Sequence, residues 1–234
     1  MALPKLETPT YECTIPSTGK VIEYRPFLVK EEKILMMAQE SNDPAQTLSA
    51  LKKIIKSCTF DKVDPNELAT YDAEYLFLQL RIKSVGETTQ FSLKCQEEGC
   101  DEMVPVEIDL TDVEVKFPAE EPENNIQLND TIGMTLKHVT LKDSQGLNGE
   151  NLSDISSMIV TVIDTIYDEE KVYSHKDVSK KEMEAFVESM NHKQLEKVKE
   201  FMEATPSIEY DLTYKCKHGH VSKVKLRGLQ DFFG

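Results

Sequence analysis

The chain has 234 residues, 42 of them acidic against 27 basic, for a formal net charge of −15. An acidic surface repels phosphate, so nucleic acid and anionic membrane are poor partners and another protein is the better default. Hydrophobic residues make up 39% and Trp is absent, enough for one sizeable domain or two small ones around an aliphatic core supplemented by nine methionines.

Met1 to Glu7 has no apolar h-region, so no secretory leader is expected. Thr10 to Ile15 and Val21 to Tyr24 flank the turn cluster Pro16-Ser-Thr-Gly19 and read as a hairpin. Val29 to Gln39 carries Ile34, Leu35, Met36 and Ala38 among Lys and Glu, as an amphipathic helix does. Asp43-Pro44 opens a second helix, with Leu48, Leu51, Ile54 and Ile55 at helical spacing. A third runs from Tyr71 to Lys83 and stops at Gly86. The period then shortens to two: Gln90 to Lys94 and Met103 to Ile108 read as strands around Cys95-Gln-Glu-Glu-Gly-Cys100.

Asp112 to Asn125 reads as an exposed connection, followed by short strands at Ile126 to Leu128 and Thr135 to Leu141. After the loop Asp143 to Asn151, Ser153 is expected to cap a helix carrying Ile155, Met158, Ile159, Val162, Ile163 and Ile166. Its apolar stretch, Met158 to Ile166, is too short to span a bilayer. Ser179-Lys-Lys-Glu182 has capping-box form, and Asn191 is placed to cap a last helix that Pro206 ends. Ile208 to Tyr214 and Val221 to Leu226 read as strands around Cys216-Lys-His-Gly-His220. The expected class is α+β, in three parts: 1–88, a hairpin plus helices; 89–110 with 207–234, a β unit; and 111–206, a mainly helical insertion.

Two hairpins more than a hundred residues apart thus carry soft ligands and a glycine (Gly99, Gly219) at their tips. That is the layout of a zinc ribbon, in which two β-knuckles face each other and supply two ligands each. Cys95, Cys100, Cys216 and one histidine would form the site. His220 is the better fourth ligand by reach, while His218 is close enough to compete. Ordinary hairpins with reduced thiols and solvated histidines are the plain alternative.

Charge supports the pairing: residues 96–125 hold eleven acids and one base, Lys116, whereas 214–228 hold Lys215, Lys217, Lys223, Lys225, Arg227 and no acid. The two hairpins are expected to attract and to form one sheet. Five cysteines, including Cys13 and Cys58, are an odd number that suits a reducing compartment better than a disulfide framework.

No phosphate-binding loop, dinucleotide fingerprint, nucleophile elbow or zinc-protease motif occurs, and His138, His175 and His192 have no marked neighbours. The chain is therefore expected not to be an enzyme and to take no small-molecule substrate. Arg25 and Phe27 read as structural. Leu229, Phe232 and Phe233, in the segment Gly228-Leu-Gln-Asp-Phe-Phe-Gly234, either fold back on the core or anchor a partner.

The run Tyr24-Arg-Pro-Phe-Leu-Val-Lys-Glu-Glu-Lys-Ile-Leu35, the segment Glu74-Tyr-Leu-Phe-Leu-Gln-Leu-Arg-Ile-Lys-Ser-Val-Gly86, the Cys95/Cys100 hairpin ending Ile108-Asp-Leu110, and Gly228-Leu-Gln-Asp-Phe-Phe233 resemble the baseplate hub family of T4-type contractile-tailed phages. The resemblance spans nearly the whole chain. It implies a late viral protein made in the host bacterial cytoplasm, which binds baseplate hub proteins as an assembly chaperone or as a subunit of the virion tail baseplate. It implies no catalytic residue. Paired-cysteine knuckles are expected at the positions of Cys95/Cys100 and Cys216, and here the second pair is Cys/His. The rival expectation is a zinc-ribbon adaptor that docks on a nucleic-acid machine through the basic strand Lys215 to Arg227.

Overall fold

The structure, a computed structural model, describes residues 6–41, 43–120, 122–146, 155–175 and 177–233. Strands β1 (Tyr11–Thr14) and β2 (Val21–Tyr24) form the first hairpin, closed by Gly19 at φ +66°. Helices α1 (Val29–Ser41), α2 (Pro44–Cys58) and α3 (Thr70–Val85) follow. Pro44 fits the first turn of α2 because its missing N–H would have no helical partner, and the Asp43 side chain accepts from the Ala45 N–H at 2.9 Å. Gly86, at φ +134°, takes the chain out of α3 into β3 (Thr88–Lys94), which pairs with β4 (Met103–Asp109). A three-residue strand, β5 (Glu114–Lys116), lies within the stretch expected to be an exposed connection.

Strands β6 (Asn125–Gln127) and β7 (Gly133–Leu136) come next, then α4 (Ile155–Val162), β8 (Ile163–Tyr167) and β9 (Val172–Ser174). Helices α5 (Lys180–Glu188) and α6 (His192–Glu203) lead to β10 (Ser207–Lys215), β11 (Val221–Arg227) and α7 (Gly228–Phe233). Both expected caps form: Ser179 with Glu182 and Asn191 with Gln194 each make a reciprocal capping box.

The described residues divide into two compact units, one drawn from residues 1–65, 71–116 and 207–234, the other from 66–70 and 117–206. In the first unit, Leu78 and Ile82 of α3, Val104, Val106 and Ile108 of β4, Ile208 and Leu212 of β10, and Phe232 of α7 share one core. Each fully buried aliphatic side chain there contributes about 1.5–3 kcal/mol of transfer free energy. The cysteines Cys95, Cys100 and Cys216 belong to the same core. The second unit buries Ile126, Met134, Ile159, Ile163, Val198 and Phe201 against a four-stranded antiparallel sheet ordered β6-β7-β8-β9. Antiparallel pairing throughout and helices segregated from the sheets make the fold α+β, as expected.

Three expectations need correcting. The helix expected through Ile166 ends at Val162, and Ile163 to Tyr167 instead pair with β7 and β9. An apolar run of this length satisfies either period, and β-branched Ile163, Thr165 and Ile166 prefer the pleated surface once strands are available on both sides. The strand expected through Leu141 ends at Leu136 after a register shift. The two cysteine-bearing hairpins, expected in one sheet, lie in separate sheets, β3-β4 and β11-β10-β5. Ser153 and part of its preceding loop lie outside the described residues. Among the described residues no helix is long and apolar enough to cross a membrane.

Candidate metal centre

The two hairpin tips are built alike. At the first, the Cys95 N–H donates to the Glu102 carbonyl at 2.9 Å, extending the β3-β4 ladder by one rung, and the Cys100 N–H donates to the Glu97 carbonyl at 3.1 Å. Gly99 makes the reversal at φ +80°, a left-handed conformation that disfavours any side chain. At the second, the Cys216 N–H donates to the His220 carbonyl at 3.1 Å, and the Gly219 N–H, with Gly219 at φ +92°, donates to the Cys216 carbonyl at 3.0 Å. Each turn aims its sulfur back toward the core.

The result brings together the four residues singled out from the sequence. Donor atoms of Cys95, Cys100, Cys216 and His220 all lie within 4.8 Å of one another. Cys95 Sγ is 3.9 Å from His220 Nδ1. Four ligands about 2.0–2.3 Å from a single tetrahedral ion are about 3.3–3.8 Å apart, so a contraction of up to about an ångström closes the shell. The three cysteines are 3%, 8% and 5% exposed, and none forms a disulfide.

His218 belongs to an overlapping group with Cys100, Glu102 and Cys216, its Nδ1 3.6 Å from Cys100 Sγ. Its side chain is 66% exposed, and the Glu102 carboxylate is already engaged, accepting the Lys217 N–H at 3.1 Å and lying 3.3 Å from His218 Nδ1. The donor set with His220 is the better enclosed one. The residues present fit a soft divalent ion.

Glu102 was not distinguished by sequence reasoning, though it stands two residues after Cys100. Its backbone and side chain link both knuckles, and Lys217 Nζ adds an ion pair at 3.6 Å. Two further bonds join the hairpins: Tyr214 Oη to the Lys94 carbonyl at 2.6 Å, and the Gln96 N–H to Ser222 Oγ at 3.2 Å. The knuckles therefore face each other through protein contacts alone. The acid–base attraction read from the sequence is realised mainly at Glu102, since Lys225 and Arg227 turn instead to Glu209 in their own sheet, at 3.1 and 3.7 Å.

The cluster's electrostatics are unlike those of the other thiols. The Glu97 N–H, with His220 beside it, brings the Cys95 thiol down to about 7 against the opposing effect of burial. The Glu102 N–H acts the same way on Cys100, but burial and the neighbouring Cys95 sulfur hold that thiol above its ordinary value. An anionic sulfur at Cys95, packed against two further sulfurs, favours a cation at their centre. Cys13 and Cys58, by contrast, are pushed up to about 11 by burial and are unreactive. The sequence shows no activating neighbour for Cys58. In the fold, Arg25 Nη1 comes within 3.7 Å of its sulfur without overcoming burial.

Arg25 is structural as expected, buried against Glu31 at 2.9 Å. The remaining candidates fold back. Phe232 is a core residue, 2% exposed. Phe233 packs edge-on to Phe77 with ring centroids 6.4 Å apart, and the Arg81 guanidinium lies 5.8 Å from the Phe233 ring centroid. Leu229 and Phe233 line an open apolar cavity of about 400 Å³ with Leu35, Ala50, Leu51 and Phe77. His138 stacks on Phe201, and His192 lies 3.3 Å from Glu196 one helical turn on.

The chain is 25% identical over 229 residues to the baseplate hub assembly protein gp26 of Enterobacteria phage T4, covering 95% of this chain and 97% of that protein. No solved structure matches it. The family model described as T4 bacteriophage base plate protein matches residues 8–234, which takes in both knuckles and the C-terminal helix, and the chain therefore belongs to that family.

Proposed function

We propose that this protein is a non-enzymatic assembly factor that binds baseplate hub proteins in the host cytoplasm while a contractile tail is built. The observation that carries this reading is the likeness to a hub assembly protein over 95% of this chain and 97% of that protein. The acidic surface suits a factor that must stay soluble and find basic partner surfaces. In this reading the Cys95, Cys100, Cys216 and His220 cluster is a zinc-ribbon-like structural clasp. Zinc would take all four positions from protein, leave no open site for chemistry, and hold segments more than a hundred residues apart in one core.

The test is affinity capture of the protein from infected cells, with mass spectrometry of what accompanies it and of purified particles. Co-purification with hub proteins and absence from particles is the expected result. Stoichiometric presence in particles would make it a subunit instead. Capture without any tail protein would end the hub reading.

A further inference from the structure

The two hairpin tips hold more ligands than one tetrahedral ion can use. Beside the group of Cys95, Cys100, Cys216 and His220 stands a second, Cys100, Glu102, Cys216 and His218, whose donor atoms also all lie within 4.8 Å of one another. Cys100 and Cys216 belong to both groups. Cys95 and His220 belong only to the first, and Glu102 and His218 only to the second. The two imidazoles flank Gly219 in the chain, with ring centroids 6.1 Å apart. Each approaches a different sulfur: His220 Nδ1 is 3.9 Å from Cys95 Sγ, and His218 Nδ1 is 3.6 Å from Cys100 Sγ.

Two edges of the second group already have the length of a tetrahedral shell, about 3.3–3.8 Å. They are His218 Nδ1 to Cys100 Sγ at 3.6 Å and His218 Nδ1 to Glu102 Oε2 at 3.3 Å. The Lys217 N–H takes one lone pair of Glu102 Oε2 at 3.1 Å and leaves the other. Ligating carboxylates are ordinarily hydrogen-bonded in this way, which fixes their orientation. Among the described residues Oε1 meets only the Lys217 ammonium, 3.6 Å away on a side chain 89% exposed, a pairing worth little. A bound ion deprotonates a coordinating thiol, and the thiolate keeps lone pairs for a second ion. Three thiolates leave one divalent ion with an excess negative charge, whereas three thiolates and the Glu102 carboxylate balance two.

We propose that Cys100, Cys216, Glu102 and His218 bind a second zinc-like divalent ion, which the two shared sulfurs bridge to the ion held by Cys95 and His220. The outer site presupposes the structural clasp, because the inner ion supplies it with two fixed thiolates. The inner ion, enclosed by three buried sulfurs, is the one retained when the protein is purified without added metal. The outer ion, bounded by the exposed His218, exchanges with solution and is taken up when metal is supplied.

The test is NMR of the full chain titrated with isotopically enriched cadmium, a spin-active ion that takes the same thiolate and imidazole ligands. Two cadmium resonances are expected, the second appearing after the first has saturated and split by scalar coupling to it through the shared sulfurs. His218→Ala should weaken the second ion by about a hundredfold or more, beyond the loss typical of an outer-shell change, and leave the first resonance in place. Glu102→Gln, which keeps an acceptor for the Lys217 N–H, should do the same. A single resonance at saturation, or a second one without coupling, as from an ion on surface carboxylates, would overturn the outer site and leave the clasp standing. No resonance from a sulfur-bound ion would end both.

Discussion

Two buried polar clusters in the first unit solve the same problem in opposite ways. At the base of α1, Glu31 is 2% exposed yet charged: burial opposes ionisation, but Arg25, the Leu28 N–H and Ser57 overcome it and hold the carboxyl down at about 2. The guanidinium is likewise spoken for by the Pro26 carbonyl and Ser57. Every charge there has a protein partner. At the knuckles three thiols and a histidine converge with no protein cation among them, and the Cys95 and Cys100 thiols are shifted in opposite directions. A cluster whose anions are balanced by protein is structural as it stands, whereas one left unbalanced points to an ion from solution.

The sharpest way to break the comparison is to remove a sulfur. Cys216→Ser should release bound zinc and lower unfolding free energy by at least ~4 kcal/mol, the linkage value for a metal a thousandfold above its dissociation constant. Chelation of the wild-type protein should lower its melting temperature in the same direction. Loss of zinc with an unchanged melting curve would show that Glu102, Tyr214 and Ser222 hold the knuckles unaided.

Next comes the balanced cluster. Glu31→Ala leaves the Arg25 guanidinium buried without its counterion and should cost roughly 3 kcal/mol in denaturant unfolding, at the lower end for a broken buried pair. Replacing both members with apolar residues should recover much of that loss. The pH dependence follows from the depressed carboxyl. Its stabilisation is complete above the unfolded value near 4.5 and is lost as pH falls from there toward about 2, a slope that the Ala variant should lack.

Glu74 sharpens the contrast with a smaller effect of opposite sign. It lies beside Gly228 at the start of α7, where burial pushes its carboxyl up to about 7 despite the Leu229 N–H and Arg227. The folded protein therefore holds this proton more tightly than the unfolded chain, and stability should decline as pH rises from about 4.5 to about 7. Glu74→Gln keeps the acceptor and should flatten that part of the profile, most visibly as greater stability at pH 8. The smallest effect is expected at His218. Its replacement by Ala should leave zinc affinity within about threefold, while His220→Ala should lower it by about a hundredfold or more, beyond the loss typical of an outer-shell change. The reverse order would assign His218 as the ligand.

The cysteine–histidine cluster was legible because its signals are local. Cysteine and histidine flank a glycine between two alternating runs, and each tip can be recognised without knowing what faces it. The caps at Asp43, Ser179 and Asn191 were legible for the same reason. Elements defined by distant partners were not. Strand β5 exists because Glu114 to Lys116 pair with Ser207 to Glu209, and β8 takes its form from β7 and β9 on either side. The six-residue α7 is too short to show a helical period and is held by Phe232 in the core.

The most direct test of the account is native mass spectrometry of the protein purified without added metal, beside the Cys216→Ser variant. One zinc ion per wild-type chain and none on the variant is the result expected from an unbalanced cluster of three thiols and His220. A wild-type chain that carries no metal, keeps its melting temperature under chelation and is indifferent to Cys216→Ser would contradict it.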